Sequence, residues 1–346
     1  CVHDAPPANA SRANKFHFTP NAGDCSTPFG AFRGRRPCGA GFWPVYLERQ
    51  DIGRYHTGQH RPLSRIRAAS RGEAYRMNDL KRYGEWALIT GASAGIGKAF
   101  AEAIAAQGLN CVLVARRLDR LQELAGELQS RHGVECRCVK EDLADPASAQ
   151  RVADAVGDLE VGLLVNNAGF GYAWRFEDSE PARMADMITL NCLTPALLTR
   201  LLVPGMVKRR NGGIILVGSV LGVIPSPYQS VYGATKAFDV ALAESLFGEY
   251  ETSGIDVLAL CPSTTRTEFF VADGMSEARA KRITAWADRP EDVAGLALRY
   301  LGRKSRVGPW AYVGPALLAR VLPRKWSIRL VRRFMKPYLR KDEGVP

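Results

Sequence analysis

The chain is poor in the residues from which metal centres and disulfide scaffolds are built. Its eight cysteines are Cys1, Cys25, Cys38, Cys111, Cys136, Cys138, Cys192 and Cys261, and none forms a C-x-x-C pair. No second cysteine pair or histidine pair stands at metal-ligand spacing, so no metal is expected. The last five read as buried thiols of a reducing compartment. Cys136 and Cys138 are two apart and would share one face of a strand. Four of the five histidines precede residue 61, which leaves only His132 for the globular part, in a charged loop expected to face solvent.

Long apolar runs are also missing. The longest, "IILVGSVLGVIP" at 214–225, is broken by Gly and Ser. It falls short of the roughly 18–20 residues needed to span a bilayer, so no transmembrane segment is expected. No charged-then-apolar leader opens the sequence. Large aliphatic residues are scarce before Met77, the first methionine, whereas Arg, Gly, Pro and Ala are frequent there. Such a segment cannot bury enough apolar area to offset ordering entropy, so residues 1–76 are expected to be disordered or loosely folded. Met77 reads as the natural start and residues 1–76 as translated upstream sequence. An Arg-rich targeting or tail segment is the alternative, against which stand its Asp, Glu, Pro and Gly content and its lack of an amphipathic helix.

What remains suits a globular α/β protein. Of 346 residues, 46% are hydrophobic and 24% charged, near globular averages. The net charge of +12 is concentrated at the two ends; the middle is only mildly basic and carries no known nucleic-acid motif, so no nucleic acid is expected as partner. From residue 86 onward, short apolar strands alternate with amphipathic helices. "WALIT", "NCVLVA", a stretch within "VECRCVKEDL", "VGLLVNN", "GGIILVGS" and "IDVLALCP" read as strands, with "VGPWAYVG" as a seventh. Helical patterns fall between them, with long ones over 181–209 and 229–253, and "DPASAQRVADAV" is expected to start on its Asp-Pro. Such alternation predicts a doubly wound parallel sheet of Rossmann type, helices on both faces, over residues 77–313.

The first strand runs into "TGASAGIG" and then a helix. Gly91, Gly95 and Gly97 permit a tight turn, close backbone approach to a pyrophosphate and helix–strand packing, and the helix N-terminus offers N–H donors. The second strand ends "VARRLDR". An NAD site typically places an acid there, but this chain has Ala115, then Arg116 and Arg117. A guanidinium pairs with a 2′-phosphate that an acid would repel, so NADP (NADPH) is the expected cofactor. Asp142, after the third strand, could hydrogen-bond adenine or serve as an acid at a helix start.

"TGASAGIG", "NNAG" (166–169), Asn191 of "LNC", Ser219 of "VGSV" and "YGATK" (232–236) occur in the order found in the short-chain dehydrogenase/reductases. Over about residues 84–304 the chain resembles the shorter, single-domain branch of that family, and its subgroup is similar to bacterial ketoreductases. The resemblance implies cofactor contacts from Ser93, Ile96, Leu143, Asn167, Ala168, Gly169, Pro262 and Thr267, besides the residues above. One departure is "CPSTTRTEFF", where Ser263 replaces a usual glycine. If that position needs positive φ, serine would cost about 1 kcal/mol.

The reaction implied is hydride transfer between nicotinamide and a carbonyl carbon, interconverting a ketone or aldehyde and an alcohol. Tyr232 would be the general acid/base. Lys236, one helical turn on, would lower the phenol pKa and reach the ribose. Ser219 would polarise the substrate oxygen, and Asn191 would hold a water linking Lys236 to solvent. Phe170, Tyr172, Tyr228 and Phe269, with Pro225 and Phe270, offer apolar walls for a small carbonyl or alcohol substrate. Core or subunit packing would explain those side chains equally well. The two long helices resemble the family's dimer faces, so a homodimer or homotetramer is expected.

Residues 314–346 form a basic tail. After Pro323, Trp326, Leu330, Phe334 and Tyr338 recur at four-residue spacing among Arg and Lys. This basic amphipathic helix, over 323–341, could lie on an anionic membrane or pack its apolar stripe on the domain or a second subunit. The expected location is cytoplasmic, at most peripheral to a membrane. Two other functions stay open: a non-catalytic NADP-binding sensor or scaffold, and a membrane-surface reductase of lipid ketones of the 3-oxoacyl type.

Overall fold

The computed structural model describes residues 79–269, 276–285, 287–308 and 321–336. Contacts divide the chain into Cys1–Ser70 and Arg71–Pro346, and every described residue lies in the second unit. The expectations for residues 1–76, for Phe270, for a strand through 309–314 and for Tyr338 fall outside the described residues.

Seven strands form one parallel sheet: β1 Trp86–Thr90, β2 Asn110–Ala115, β3 Cys136–Lys140, β4 Val161–Asn166, β5 Gly212–Val217, β6 Ile255–Leu260 and β7 Arg306–Val307. Their order is β3-β2-β1-β4-β5-β6-β7. β1, β4 and β5 are buried at every position, as expected of strands covered on both faces. The order reverses direction between β1 and β4, which opens a crevice at the carboxyl ends of those strands.

Helices α1 Gly95–Ala105 and α2 Leu118–His132 connect the first three strands, and α3 Ser148–Val156 precedes β4. In α2, Leu121, Leu124, Ala125 and Leu128 make the buried stripe. His132 is therefore the last residue of a helix and half-buried, not a loop residue in solvent; Gly133, at φ 68°, ends the helix. α3 starts at Ser148, three residues later than the Asp-Pro pattern suggests. Asp145 first folds back, its Oδ1 accepting from Ala147 N at 2.9 Å.

The two faces of the sheet build separate cores. One gathers Phe100, Ile104, Leu121, Leu128 and Leu298 beneath α1, α2 and α8 (Pro290–Tyr300), which follows the short α7 (Glu277–Ile283). The other gathers Val152, Leu198, Met206, Val240 and Ala243 beneath α3, α5 (Thr194–Arg209) and α6 (Ser230–Tyr250). Of the described cysteines only Cys111 and Cys261 are buried; Cys136, Cys138 and Cys192 are half-buried, because β3 is the edge strand and Cys192 sits on a helix flank.

The stretch 181–209 is one continuous helix of three parts: α4 (Pro181–Ile188), a π-helical turn (Thr189–Leu193) and α5. By length and composition alone this 29-residue helix is apolar enough to cross a membrane, and 39% of its most apolar stretch is buried in the domain. Counting uninterrupted runs missed it because Arg183, Asp186, Asn191 and Arg200 break the pattern. One side of α5 packs on β4, β5 and α3. The other exposes Leu193, Leu197 and Leu201 at four-residue spacing.

Candidate active site

The glycine-rich turn between β1 and α1 is braced from below by Thr90. Its Oγ1 accepts from Asn167 N at 2.9 Å and Ala168 N at 3.0 Å, and it donates to Val165 O at 3.3 Å. Asn167 Nδ2 donates to Thr90 O at 2.8 Å. The "NNAG" residues Asn167 and Ala168 thus fasten β4 to β1 directly under the turn. Gly91 and Gly95 have φ of 68° and 56°. A Cβ on Gly97 would stand 2.2 Å from Gly91 O, so only glycine lets the helix start so close to the turn. Ala94, at the N-cap of α1, makes no side-chain hydrogen bond to the first turn. Its N–H groups are left for an external acceptor.

The basic end of this crevice differs from expectation. Arg117 converges not with Arg116, which is exposed, but with Arg120. Arg117 donates to Ser93 Oγ at 3.1 Å and to Glu268 Oε2 at 3.0 Å, and Arg120 Nη1 donates to Glu268 Oε1 at 2.8 Å. Both arginines hold the Glu268 carboxyl below its usual range, Arg120 more than Arg117. Two guanidiniums therefore already hold one anion, and Ser93 Oγ anchors one of them. Arg120 and Glu268 were not singled out from sequence; the helical i, i+3 spacing of Arg117 and Arg120 was the available signal. Asp142 turns its Oδ1 to Ala144 N at 3.1 Å, and Leu143 is sunk in the second core, its carbonyl accepting from Thr194 Oγ1 at 2.8 Å.

Beyond β6, Thr267 packs toward Gly95, whose Cβ would stand 2.8 Å from Thr267 Cγ2. Pro262 O accepts from Val220 N at 3.0 Å. Ser263 does not take a left-handed conformation, since Arg210 and Tyr228 are the only non-glycine residues at positive φ among those described. Ser263 Oγ donates to Asp288 Oδ2 at 2.6 Å, so the serine ties down the loop instead of straining it.

Ser219, Tyr232, Lys236 and Asn191 come together at the carboxyl end of β5. Ser219 follows that strand and acts on the Tyr232 phenol, favouring its ionised form; its Oγ accepts from Leu221 N at 3.2 Å. Tyr232 and Lys236 share one face of α6. Lys236 Nζ donates to Val217 O at 2.8 Å and to Asp239 Oδ2 at 3.0 Å. Asn191 is buried within the π turn, a distortion common at functional sites. Its amide donates to Phe170 O at 3.0 Å and Thr235 Oγ1 at 2.9 Å, and its Oδ1 accepts from Phe170 N at 3.2 Å. Both N–H groups are thereby committed, and Oδ1 keeps one lone pair. A Cβ on Gly169 would lie 3.1 Å from Asn191 Oδ1 and 3.2 Å from Lys236 Nζ, so that glycine keeps the two groups accessible to each other.

The Tyr232 phenol is pulled in two directions. The ammonium does pull the phenol down, as does Ser219, but burial pushes it up by more, and Asp239 adds to the rise. For Lys236, burial acts downward, while Asp239 and Tyr232 more than restore the ammonium. Burial pushes Asp239 up against the pull of Lys236.

Beside Tyr232 lies a shallow, solvent-connected cleft lined by Tyr172, Trp174, Phe176, Tyr228 and Tyr232, among others. Tyr228 holds φ at 70°, a strained state for a bulky residue next to a site. The Arg183 guanidinium lies over Phe170, Tyr172 and Trp174, at 5.9, 5.5 and 5.4 Å from the ring centroids. Phe269 meets the Tyr232 ring at 5.7 Å. Of the aromatic residues expected at a substrate pocket, Tyr172 and Tyr228 line this cleft, and Phe170 and Phe269 do not. Trp174 and Phe176 were overlooked, although the alternation in "FGYAWRF" could have shown them.

With this geometry, the chain belongs to the short chain dehydrogenases, whose family model matches residues 85–277. It is an oxidoreductase acting on the alcohol–carbonyl pair. The very-long-chain 3-oxoacyl-CoA reductase of Rattus norvegicus is 32% identical over 276 residues, covering 76% of this chain and 84% of that one. The 7beta-hydroxysteroid dehydrogenase of Collinsella aerofaciens is 33% identical over 231 residues, 67% of this chain and 88% of that one. A short-chain dehydrogenase from Sphingobium yanoikuyae, solved with NADPH, superposes with a TM-score of 0.62 at 32% identity, over 75% of this chain and 98% of that one.

Proposed function

We propose that this chain is an NADP(H)-dependent ketoreductase for bulky apolar ketones, with Tyr232 as its general acid/base. The observation that carries the reading is the meeting of Ser219, Tyr232, Lys236 and Asn191 beside the glycine-rich turn. The first turn of α1 would hold the pyrophosphate, Asp142 and the Leu143 backbone the adenine end, and Pro262 and Thr267 the nicotinamide end. Arg117, Arg120 and Ser93 would take the 2′-phosphate, and the anion already between the arginines supports this. When bound, the nicotinamide supplies the hydride in reduction and accepts it in oxidation.

The chain's own residues manage the proton. In reduction Tyr232 gives its phenolic proton to the carbonyl oxygen, and Ser219 hydrogen-bonds the same oxygen. Lys236 holds positive charge next to the phenolate that results. A water on the free lone pair of Asn191 Oδ1 would return the proton. The aromatic lining of the cleft suits an apolar substrate, and the 3-oxoacyl and hydroxysteroid relatives support a bulky one. Turnover of 3-oxoacyl thioesters, steroid ketones and aryl ketones with NADPH is the test, in wild type and Tyr232→Phe. Loss of turnover with NADPH binding retained is expected; unchanged turnover in the variant refutes the assignment.

Helix α9 (Arg324–Met335) favours a membrane-surface setting for the same chemistry. Ser327 is buried and Val331 and Met335 are half-buried, while Trp326 and Phe334 are 64% and 67% exposed among arginines. The aromatic stripe is therefore not spent on the domain, and it suits the headgroup region of an anionic bilayer. Co-sedimentation with anionic vesicles should fall when residues 323–346 are removed; equal binding removes the idea. The exposed leucines of α5 and Phe238 of α6 support a homodimer through these helices. A monomer in sedimentation velocity would contradict it.

A further inference from the structure

One buried charge in the site has no part in the mechanism above. Asp239 lies three residues beyond Lys236 on α6 and is 3% exposed, and its Oδ2 is 3.0 Å from Lys236 Nζ. Tyr232, Lys236 and Asp239 follow at i, i+4 and i+7 and so line one face of the helix. An ammonium has three N–H groups. Here one goes to Val217 O and one to Asp239, so a single donor remains for the reacting side. A buried ion pair is a poor stability device, since desolvation offsets the attraction. Its place behind the lysine suggests a chemical role instead.

We propose that Asp239 is a positioning residue of this site: it clamps Lys236 against the end of β5 and offsets the lysine's charge at Tyr232, which keeps the phenol protonated for delivery to a carbonyl. The inference rests on Tyr232 as the proton-transferring group. A lone ammonium favours phenolate. An ammonium backed by a carboxylate acts on the phenol more as a dipole, whose field is weaker and falls off faster. Other groups do not substitute for Asp239. Ser219 is neutral. Cys192, on the π turn, is pushed up to about 11 by burial, and Cys261, at the end of β6, up to about 12, so both stay thiols at neutral pH. Beyond Cys261, Arg306 and Glu244 are paired with each other at 3.2 Å. The functional consequence is directional. Reduction starts from the protonated phenol, which this arrangement maintains across neutral pH, whereas oxidation starts from phenolate.

Asp239→Asn tests this, because it keeps an acceptor for Nζ and removes the charge. Ionisation of Tyr232 is read as tyrosinate absorbance, as the difference between each protein and its Tyr232→Phe counterpart, from about pH 7 to about pH 11. In Asp239→Asn the midpoint should fall by at least about one unit, a roughly tenfold easier proton loss. The alkaline limb of NADPH-dependent ketone reduction should move with it. A midpoint that stays in place or rises, or a tyrosine that stays protonated to the same pH in both proteins, overturns the proposal. Asp239→Ser carries the same expectation if the asparagine variant does not fold. Full turnover in Tyr232→Phe would instead defeat the catalytic reading, and the absorbance titration would still report on Asp239.

Discussion

Gly171 offers a sharp test of the site, because it is backed by Tyr232. A methyl group there would stand 2.3 Å from Cδ2 of the tyrosine, 2.6 Å from Cγ and 2.9 Å from Cε2, where ordinary contact begins at 3.4 Å. Neither partner can easily retreat. The Tyr232 ring is packed by Phe269, and the preceding residue, Phe170, is pinned through its backbone N and O to Asn191. Gly171→Ala therefore forces a shift of about 1 Å, and a misplacement of that size costs on the order of 100-fold in rate. Overpacking of this kind also costs about 1–3 kcal/mol of stability. The assay is ketone turnover with NADPH beside NADPH affinity by fluorescence titration. Turnover should collapse while affinity holds, because the added methyl meets Tyr232 and not the glycine-rich turn. Wild-type turnover in Gly171→Ala, or a parallel loss of NADPH affinity, would refute the reasoning.

Thr90→Val removes the acceptor shared by Asn167 N and Ala168 N and should destabilise the fold by about 1–3 kcal/mol per orphaned group. Urea denaturation checks it, and an unchanged midpoint would contradict the bracing role. Arg117→Ala combined with Arg120→Ala should weaken NADPH binding at least about tenfold and leave NADH binding unchanged, since only the 2′-phosphate uses charge-assisted bonds there. Isothermal titration with both nucleotides reads this, and equal losses for the two would show that the arginines do not discriminate.

Much of this protein was legible without coordinates, for local reasons. Strands buried on both faces announce themselves as short apolar runs, and the stripe of α2 and the Gly133 stop follow from helical periodicity. The glycine-rich loop and the Tyr232–Lys236 pair were recognisable because turn geometry and helical spacing are written in neighbouring residues, whereas "NNAG", Asn191 and Ser219 stood out through the resemblance to the family. By itself the sequence thus determined the doubly wound architecture and, through the family resemblance, pointed to the four polar groups that meet at the carboxyl end of β5.

What only the tertiary structure decided are the quantities that depend on groups distant along the chain or on depth of burial. Spacing said that Lys236 faces Tyr232, but burial and Asp239 reverse the direction in which the phenol is shifted. Arg117 meets Glu268 across 151 residues, a pairing no local pattern contains. Ser263 is relaxed because Asp288 receives its hydroxyl, and the aromatic stripe of α9 is left in solvent because a different face of that helix is turned inward. Spacing along a chain fixes which side chains can share a face. The electrostatic environment of a group depends on everything packed around it in three dimensions, and that is settled only when the sheet and helices close on one another.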